Sequence, residues 1–377
     1  MNGSLLQQII AQGLPHLEKK TITPRQWQVL HHLQDCRTQA MGSYQWHCNH
    51  CEQDTQWYCS CRDRHCPVCQ GKSREQWLRK RQADVLPVAY HHVVFTLPHQ
   101  FNGWATLHPK VLYKVLFKAV WQTLSEFATA RHHMEGQLGM LAVLHTWGQT
   151  LCRHIHLHCL IPSGVLTQDK QWCNSRKAHY LFPVRALSVK FRGKMLNALS
   201  QEAKADKLHR LAPEMISQVL NEAARLKWNV YSKPTIGHTD AVVSYLARYC
   251  NRVGISESRL SLRGENNVLM RYKDYRTDKT THMDLSAAEL IRRFLLHVLP
   301  KGFMRLRYYG FMANSIRRKS LSLIRKSLNK AAEKLEEVIT PKANDEIGPE
   351  CPSCHHDGMV LIGIILPNKQ LVRFRTI

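Results

Sequence analysis

Between Cys36 and Cys69 the chain places seven of its 13 cysteines, namely Cys36, Cys48, Cys51, Cys59, Cys61, Cys66 and Cys69. Residues 1 to 20 carry Glu18, Lys19 and Lys20 and lack an apolar core followed by a small-residue cleavage site, so secretion is not expected and a reducing cytoplasm is. In that setting thiols stay reduced, and a dense cluster points to metal. Cys48-x2-Cys51 is followed after 14 residues by Cys66-x2-Cys69, a spacing that sets four thiolates around one structural zinc with no open coordination position. Cys36, Cys61, His65 and either His31 or His32 form a candidate second site, with a supporting or surface role as the alternative. Near the end, Cys351 and Cys354, followed by His355 and His356, read as half a zinc knuckle or as an unliganded turn.

The rest of the chain is long enough for more than one core. Its apolar fraction is 44% over 377 residues. The formal charge of +25 points to a polyanionic partner, with nucleic acid foremost. An anionic membrane surface is the rival for such a charge, but no apolar run reaches the roughly 18 residues of a spanning helix. Tyr90–Leu97 reads as a strand, and Leu138–Trp147 with His154–Ile161 as an antiparallel hairpin. Helices are expected over Ser73–Ala83, Pro109–Arg131, Val189–Leu220, Thr239–Arg252 and Ser286–Leu299, and further strands over Leu226–Tyr231 and Val268–Arg276. The order is α+β. Beyond Gly302 the chain is strongly basic, and 342–350 reads as a linker. The expected domains are 1–85 (helical and zinc-binding), 86–300 (the main catalytic unit), 301–345 (a basic helical extension) and 346–377 (a small tail).

His154, His156 and His158 alternate along one strand, which puts three imidazoles on one face. Such a row can hold a divalent cation that polarises a phosphate oxygen, or can be a polar sheet face. On the expected helix Thr239–Arg252, Tyr245 and Tyr249 stand one turn apart, with Arg248 and Arg252 as the neighbouring stripe. A phenol is a weak nucleophile at neutral pH, and a cation on the phosphodiester compensates for that. Amphipathic packing is the plain alternative for the two tyrosines.

Together these segments resemble the rolling-circle insertion-sequence transposases of the His-hydrophobic-His (HUH) nuclease superfamily, including the related common-region elements. The resemblance spans nearly the whole chain. It rests on CRT at Cys36–Thr38, SCRDRHCPVCQ at Ser60–Gln70, HVVFTLP at His92–Pro98, HTWGQ at His145–Gln149, HIHLHCLIP at His154–Pro162, YLARYCNR at Tyr245–Arg252 and RRFLLHVLPKGFMRLRYYG at Arg292–Gly310. It implies an HUH nuclease core, a central antiparallel sheet flanked by helices, with a small N-terminal zinc-ribbon-like domain. It also implies magnesium or manganese on His156 and His158, and Tyr249 and Tyr245 as nucleophiles forming a 5'-phosphotyrosine, with Tyr249 preferred if one acts. Gln149 is preferred as third ligand over His145. The family commonly has proline where this chain has Ile155, which leaves the role of His154 open.

By the same resemblance the partners are single-stranded DNA at transposon ends and target DNA. The zinc ribbon and the basic C-terminal region would recognise the ends; Lys233, Arg248 and Arg252 are candidate phosphate contacts, with a solvated surface charge as the alternative reading. The expected location is the bacterial cytoplasm, at the nucleoid when acting. A plasmid replication initiator or relaxase shares this chemistry, but the chain has no GxxxxGK[ST] loop of an attached helicase. A noncatalytic zinc-dependent DNA-binding protein is the second rival.

Overall fold

Alternating runs of the sequence become strands and amphipathic runs become helices, in mixed order. This computed structural model describes residues 3–131, 135–175, 182–235, 242, 254–274, 276–328 and 349–374. The first half contains helices α1 (Leu5–Gly13) and α2 (Pro24–Asp35), strands β1 (Ser43–His47) and β2 (Asp54–Tyr58), helix α3 (Pro67–Gln82), strand β3 (Tyr90–Thr96) and helices α4 (Asn102–Leu107) and α5 (Pro109–Arg131). Strands β4 (Gln137–Trp147), β5 (Arg153–Pro162), β6 (Gly164–Leu166) and β7 (Trp172–Asn174) follow, then helices α6 (Val184–Lys204) and α7 (Pro213–Arg225) and strand β8 (Val230–Thr235). After these come β9 (Leu260–Leu262), β10 (Asn267–Asp274), β11 (Lys279–Ser286), the helix Ala287–Leu295, β12 (Leu306–Gly310), the helix Arg317–Ser327, and β13 (Val360–Ile365) and β14 (Leu371–Arg373). The chain divides into two compact units: Met1–Ser73 with Ile255–Val298 and Lys334–Ile377, and Arg74–Gly254 with Leu299–Glu333.

The unit built on Arg74–Gly254 holds an antiparallel seven-stranded sheet in the order β7-β6-β4-β5-β3-β8, with β12 also paired to β4. One face is apolar throughout. Val93 and Phe95 of β3, Met140, Ala142 and Leu144 of β4, and Leu157, Cys159 and Ile161 of β5 pack beneath α5 and α6. The other face is split. At one end Tyr90, Leu141, Val143 and Leu160 are covered by Val85, Leu86, Phe311, Leu321 and Ile324, and at the other end histidines replace the aliphatic side chains. A fully buried large aliphatic side chain contributes about 1.5–3 kcal/mol, so the first face fixes the sheet.

The other unit contains two antiparallel sheets. The first, ordered β14-β13-β1-β2, joins two hairpins distant in sequence: β13 pairs with β1 from Ser43↔Ile365 to His47↔Val360. The second is β11-β10-β9, and α1 packs on the helix Ala287–Leu295 that follows it. Helix α2 begins with a capping box, Thr23 and Gln26 each satisfying the other's backbone, and Pro24 in its first turn.

Several expectations shift. The helix expected over Val189–Leu220 is two helices, because Ala212, preceding Pro213, takes an extended conformation. Helix α3 begins at Pro67, ahead of Ser73, so the second CxxC lies at its start. The expected domain 86–300 loses Ile255–Val298 to the other unit, and the expected basic extension 301–345 is in part a structural piece of the sheet, because the open edge of β4 accepts β12 from Leu306↔Val143 to Gly310↔Gly139. The tail expected as a separate 346–377 domain joins the N-terminal sheet through β13. The expected helix Thr239–Arg252 lies outside the described residues apart from Val242.

Gly310 closes the β12 pairing at φ +59°, where an added Cβ would meet the Leu138 carbonyl oxygen at 1.6 Å. Gly302, at φ +74°, faces open space. Gly310→Ala is therefore expected to cost about 3 kcal/mol or more, against about 1 kcal/mol for Gly302→Ala. Urea unfolding curves of the two variants check this; equal losses would mean that β12 does not depend on that close approach.

Candidate metal centres

Two sets of four cysteines converge, both in the unit that contains the N-terminus. Cys36 at the C-terminal end of α2, Cys61, and Cys66 and Cys69 around the start of α3 form the first. Their sulfurs are 3.5 Å (Cys36 to Cys69), 3.6 Å (Cys61 to Cys69) and 3.7 Å (Cys36 to Cys66) apart. A tetrahedron with Zn–S bonds of about 2.3 Å has edges of about 3.8 Å, so the spacing fits one zinc ion. The protonation pattern agrees. A hydrogen bond from Cys61 holds the Cys36 thiol far below its usual range, the reciprocal bond pushes Cys61 far up, and Cys66 is pushed up to about 12 by Cys36. Thiolates this close repel one another, whereas a divalent cation lets them ionise together.

The second set is Cys48 and Cys51, in the β1–β2 turn, with Cys351 and Cys354 just ahead of β13. Cys48 lies 3.7 Å from Cys354, and Cys51 lies 3.7 Å from Cys351. Backbone N–H groups of Cys354 and Ser353 bring Cys351 down to about 6. The grouping therefore differs from the one read off the sequence. Cys48 and Cys51 do not meet Cys66 and Cys69, because the β1–β2 hairpin carries its turn to the β13 side; the half-knuckle of the tail finds its second half there.

His65 is not among the grouped ligands. Its backbone N–H and Nδ1 meet Asp63 Oδ1 at 2.9 and 2.7 Å, while His32 Nδ1 and Arg25 Nη2 reach Oδ2 at 3.1 and 3.2 Å. Burial would raise the Asp63 carboxyl, but the hydrogen bonds from His65, backed by His32, hold it well below the usual carboxylate range. This buried carboxylate ties α2 to the loop between Cys61 and Cys66. His31 stacks on Trp27, and Cys59 also stays outside both sets, its backbone pairing with Arg37 and Gly42.

The other unit brings together His145, His156 and His158, one ligand nitrogen from each lying within 4.8 Å of the others. His145 on β4 stands directly opposite His156 on β5, and His158 follows two residues on, so all three share the split face. His145 is 3% and His158 7% exposed. Burial, aided by nearby His154, lowers His156 to about 4, so its imidazole is neutral and able to bind a cation at pH 7. Two ligands at about 2.1 Å from one ion are at most about 4.2 Å apart, so small rotations bring the trio onto a single ion. His154 stays outside the trio. The β4–β5 ladder shifts register beside it, with His145↔His156 followed by Trp147↔Arg153, an extra residue that interrupts the row. Gln149 lies in the turn that joins the two strands.

Lys233 is exposed on β8 opposite His92, so it lies on the imidazole face. Tyr245, Tyr249, Arg248 and Arg252 lie outside the described residues. One contributor was missed by sequence reasoning: His92 Nε2 lies 2.9 Å from His158 Nδ1. Period two along HHVVF puts His92 with Val94 and Thr96 and sends His91 to the opposite side, where it meets Ser163. That alternation was the available signal.

A family model described as "Putative transposase" matches residues 139–320, and one for a transposase zinc-binding domain matches residues 7–97. "Putative transposase y4qJ" of Sinorhizobium fredii (strain NBRC 101917 / NGR234) is 37% identical over 361 residues, covering 91% of this chain and 90% of that protein. The chain belongs to the transposase family of the insertion sequences IS91 and IS801. The transposase for insertion sequence element IS801 of Pseudomonas savastanoi pv. phaseolicola is 27% identical over 318 residues, covering 81% of this chain and 72% of that one. Among solved structures, the conjugative relaxase TrwC in complex with oriT DNA, in a metal-free form, matches 44% of this chain and 72% of its own at 15% identity, with a TM-score of 0.23, too low for a common fold to follow. In this member of the family the zinc-binding match contains Cys36, Cys48, Cys51, Cys61, Cys66 and Cys69, while Cys351 and Cys354 lie far beyond its end. No described helix is long and apolar enough to cross a membrane.

The cross-pairing makes a measurable prediction. Cys351→Ser with Cys354→Ser is expected to remove one of two bound zinc equivalents, and Cys36→Ser with Cys61→Ser to remove the other, by elemental analysis of purified protein. A tail variant that keeps its full metal content would contradict the grouping.

Proposed function

We propose that this transposase nicks and rejoins single-stranded DNA at element ends through a 5'-phosphotyrosine intermediate, as in rolling-circle transposition. The observation that carries the reading is the trio His145, His156 and His158, three imidazoles gathered on one half of a sheet face whose other half is packed with apolar side chains. These residues would hold the catalytic cation, and a donor set of nitrogens favours manganese over magnesium. When bound, the cation draws charge from a non-bridging phosphate oxygen and so makes the phosphorus open to a weak nucleophile. Gln149, from the turn between the strands, is a further candidate ligand.

The nucleophile is Tyr249, with Tyr245 available for a second cleavage or for strand transfer. Its phenol oxygen attacks phosphorus, the bond to the 3'-oxygen breaks, that oxygen takes up a proton as the phenol loses one, and the 5'-phosphate stays on tyrosine. Rejoining reverses these steps with a new 3'-OH. Val242, within the segment expected as the tyrosine helix, is buried with Tyr90, Leu141 and Leu160 on the same face as the imidazoles. Tyr245 and Tyr249 follow Val242 by three and seven residues, the helical spacing of one side. Lys233, together with Arg248 and Arg252, is assigned to the DNA backbone, where each contact adds salt-dependent affinity. The two tetrathiolate sets are assigned one structural zinc each, shaping a basic surface for the element ends.

Labelled single-stranded ends incubated with manganese are expected to give a covalent protein–DNA species on denaturing gels, and EDTA to prevent it. Tyr245→Phe with Tyr249→Phe is expected to abolish that species while DNA binding stays within a few-fold of wild type. A persistent adduct in the double variant would exclude these nucleophiles.

His156→Ala and His158→Ala are each expected to slow adduct formation by roughly 10³-fold or more, because polarisation of the phosphate supplies several kcal/mol. Rates of adduct formation at saturating manganese check this, and wild-type rates in either variant would remove the cation from these residues.

A further inference from the structure

We propose that His92 is a positioning residue: it fixes the tautomer of His158, so that both imidazoles of the β5 pair offer Nε2 to one cation. The inference rests on the metal-centre reading above. The two β5 histidines are held in the same sense. His156 Nδ1 lies 2.8 Å from the backbone oxygen of His154, and a carbonyl only accepts, so that nitrogen carries the proton and Nε2 keeps the lone pair. His158 Nδ1 lies 2.9 Å from His92 Nε2, with the ring centroids 5.2 Å apart and the planes within 20°. For His158 to match His156, its Nδ1–H donates and His92 Nε2 accepts.

Histidine ligands ordinarily give their second nitrogen to a carboxylate, a carbonyl or water, which orients the ring and raises its basicity. Here a side chain of the neighbouring strand takes that part. The β3–β5 register sets Val94 opposite His158 and His92 opposite Leu160, which makes His92 the diagonal neighbour of His158 on the same face. Tyr231 of β8 stands edge-on to the His92 ring, with the ring centroids 6.4 Å apart. Unlike a carbonyl, an imidazole can donate or accept, so the ligand polarity of His158 depends on which nitrogen of His92 carries the proton.

The test compares His92→Phe, which keeps a ring and removes the acceptor, with His92→Gln, whose Oε1 can accept from His158. Manganese affinity is measured by calorimetry and by loss of the free-ion EPR signal, circular dichroism confirms folding, and ¹⁵N spectra of histidine-labelled chain report the His158 tautomer. The expected result is that His92→Phe weakens manganese binding by about 10- to 100-fold and mixes the His158 tautomers, while His92→Gln restores both to within a few-fold. A folded His92→Phe within twofold of wild type, or a Gln variant as impaired as Phe, overturns the positioning role alone. Absence of manganese binding by the wild-type chain overturns the metal centre itself, and the role of His92 with it.

Discussion

The pairing of β4 with β5 is the constraint on which the unit of the seven-stranded sheet depends. Side chains alternate with period two, so one register slip would turn Leu157, Cys159 and Ile161 away from the helices and send the imidazoles into the apolar layer. The core therefore enforces the site. Burial of one set of residues selects the register, and that register brings His145 opposite His156 and leaves His158 two residues along.

The split second face explains why the site lies where it does. Its apolar half is sealed by Phe311, Leu321 and Ile324, which reach it because β12 adds to the edge of β4 and the helix Arg317–Ser327 follows. Sealing one half and leaving the other to largely buried imidazoles, with His145 3% and His158 7% exposed, produces a partly desolvated patch. A cation held there, as proposed above, would be weakly screened, and its pull on a phosphate would be larger than in water. The basic residues near the C-terminus therefore serve partly as architecture: Arg317 stacks on Tyr308 and pairs with Asp84.

The cysteine-rich unit solves a different problem. Beside the sheet β14-β13-β1-β2 the buried cluster is small, Met359 with Cys48 and Cys351, and a thiolate set with zinc spacing makes up for that thin core. The strand β13 closes a loop of some 300 residues between paired cysteines. The N-terminal knuckle is thus completed only when the tail arrives, which couples the two ends of the sequence.

Local chemistry determined a good deal without tertiary information. Alternation gave β3, β4 and β5, the His156–His158 pair and the face they share, and CxxC spacing gave the presence of thiolate sites. Which cysteines share a site was not legible, since Cys48-x2-Cys51 has the same local geometry whether its partner is 15 or 300 residues away; the β1–β13 ladder made that choice. Likewise His92 was an ordinary strand residue, and His145 only the less favoured candidate for third ligand, until cross-strand register set them beside His158 and His156. A sequence fixes which way a side chain points along its own strand, because that follows from backbone geometry. Which side chain it meets follows from pairing between strands, and that is decided by burying the whole sheet at once.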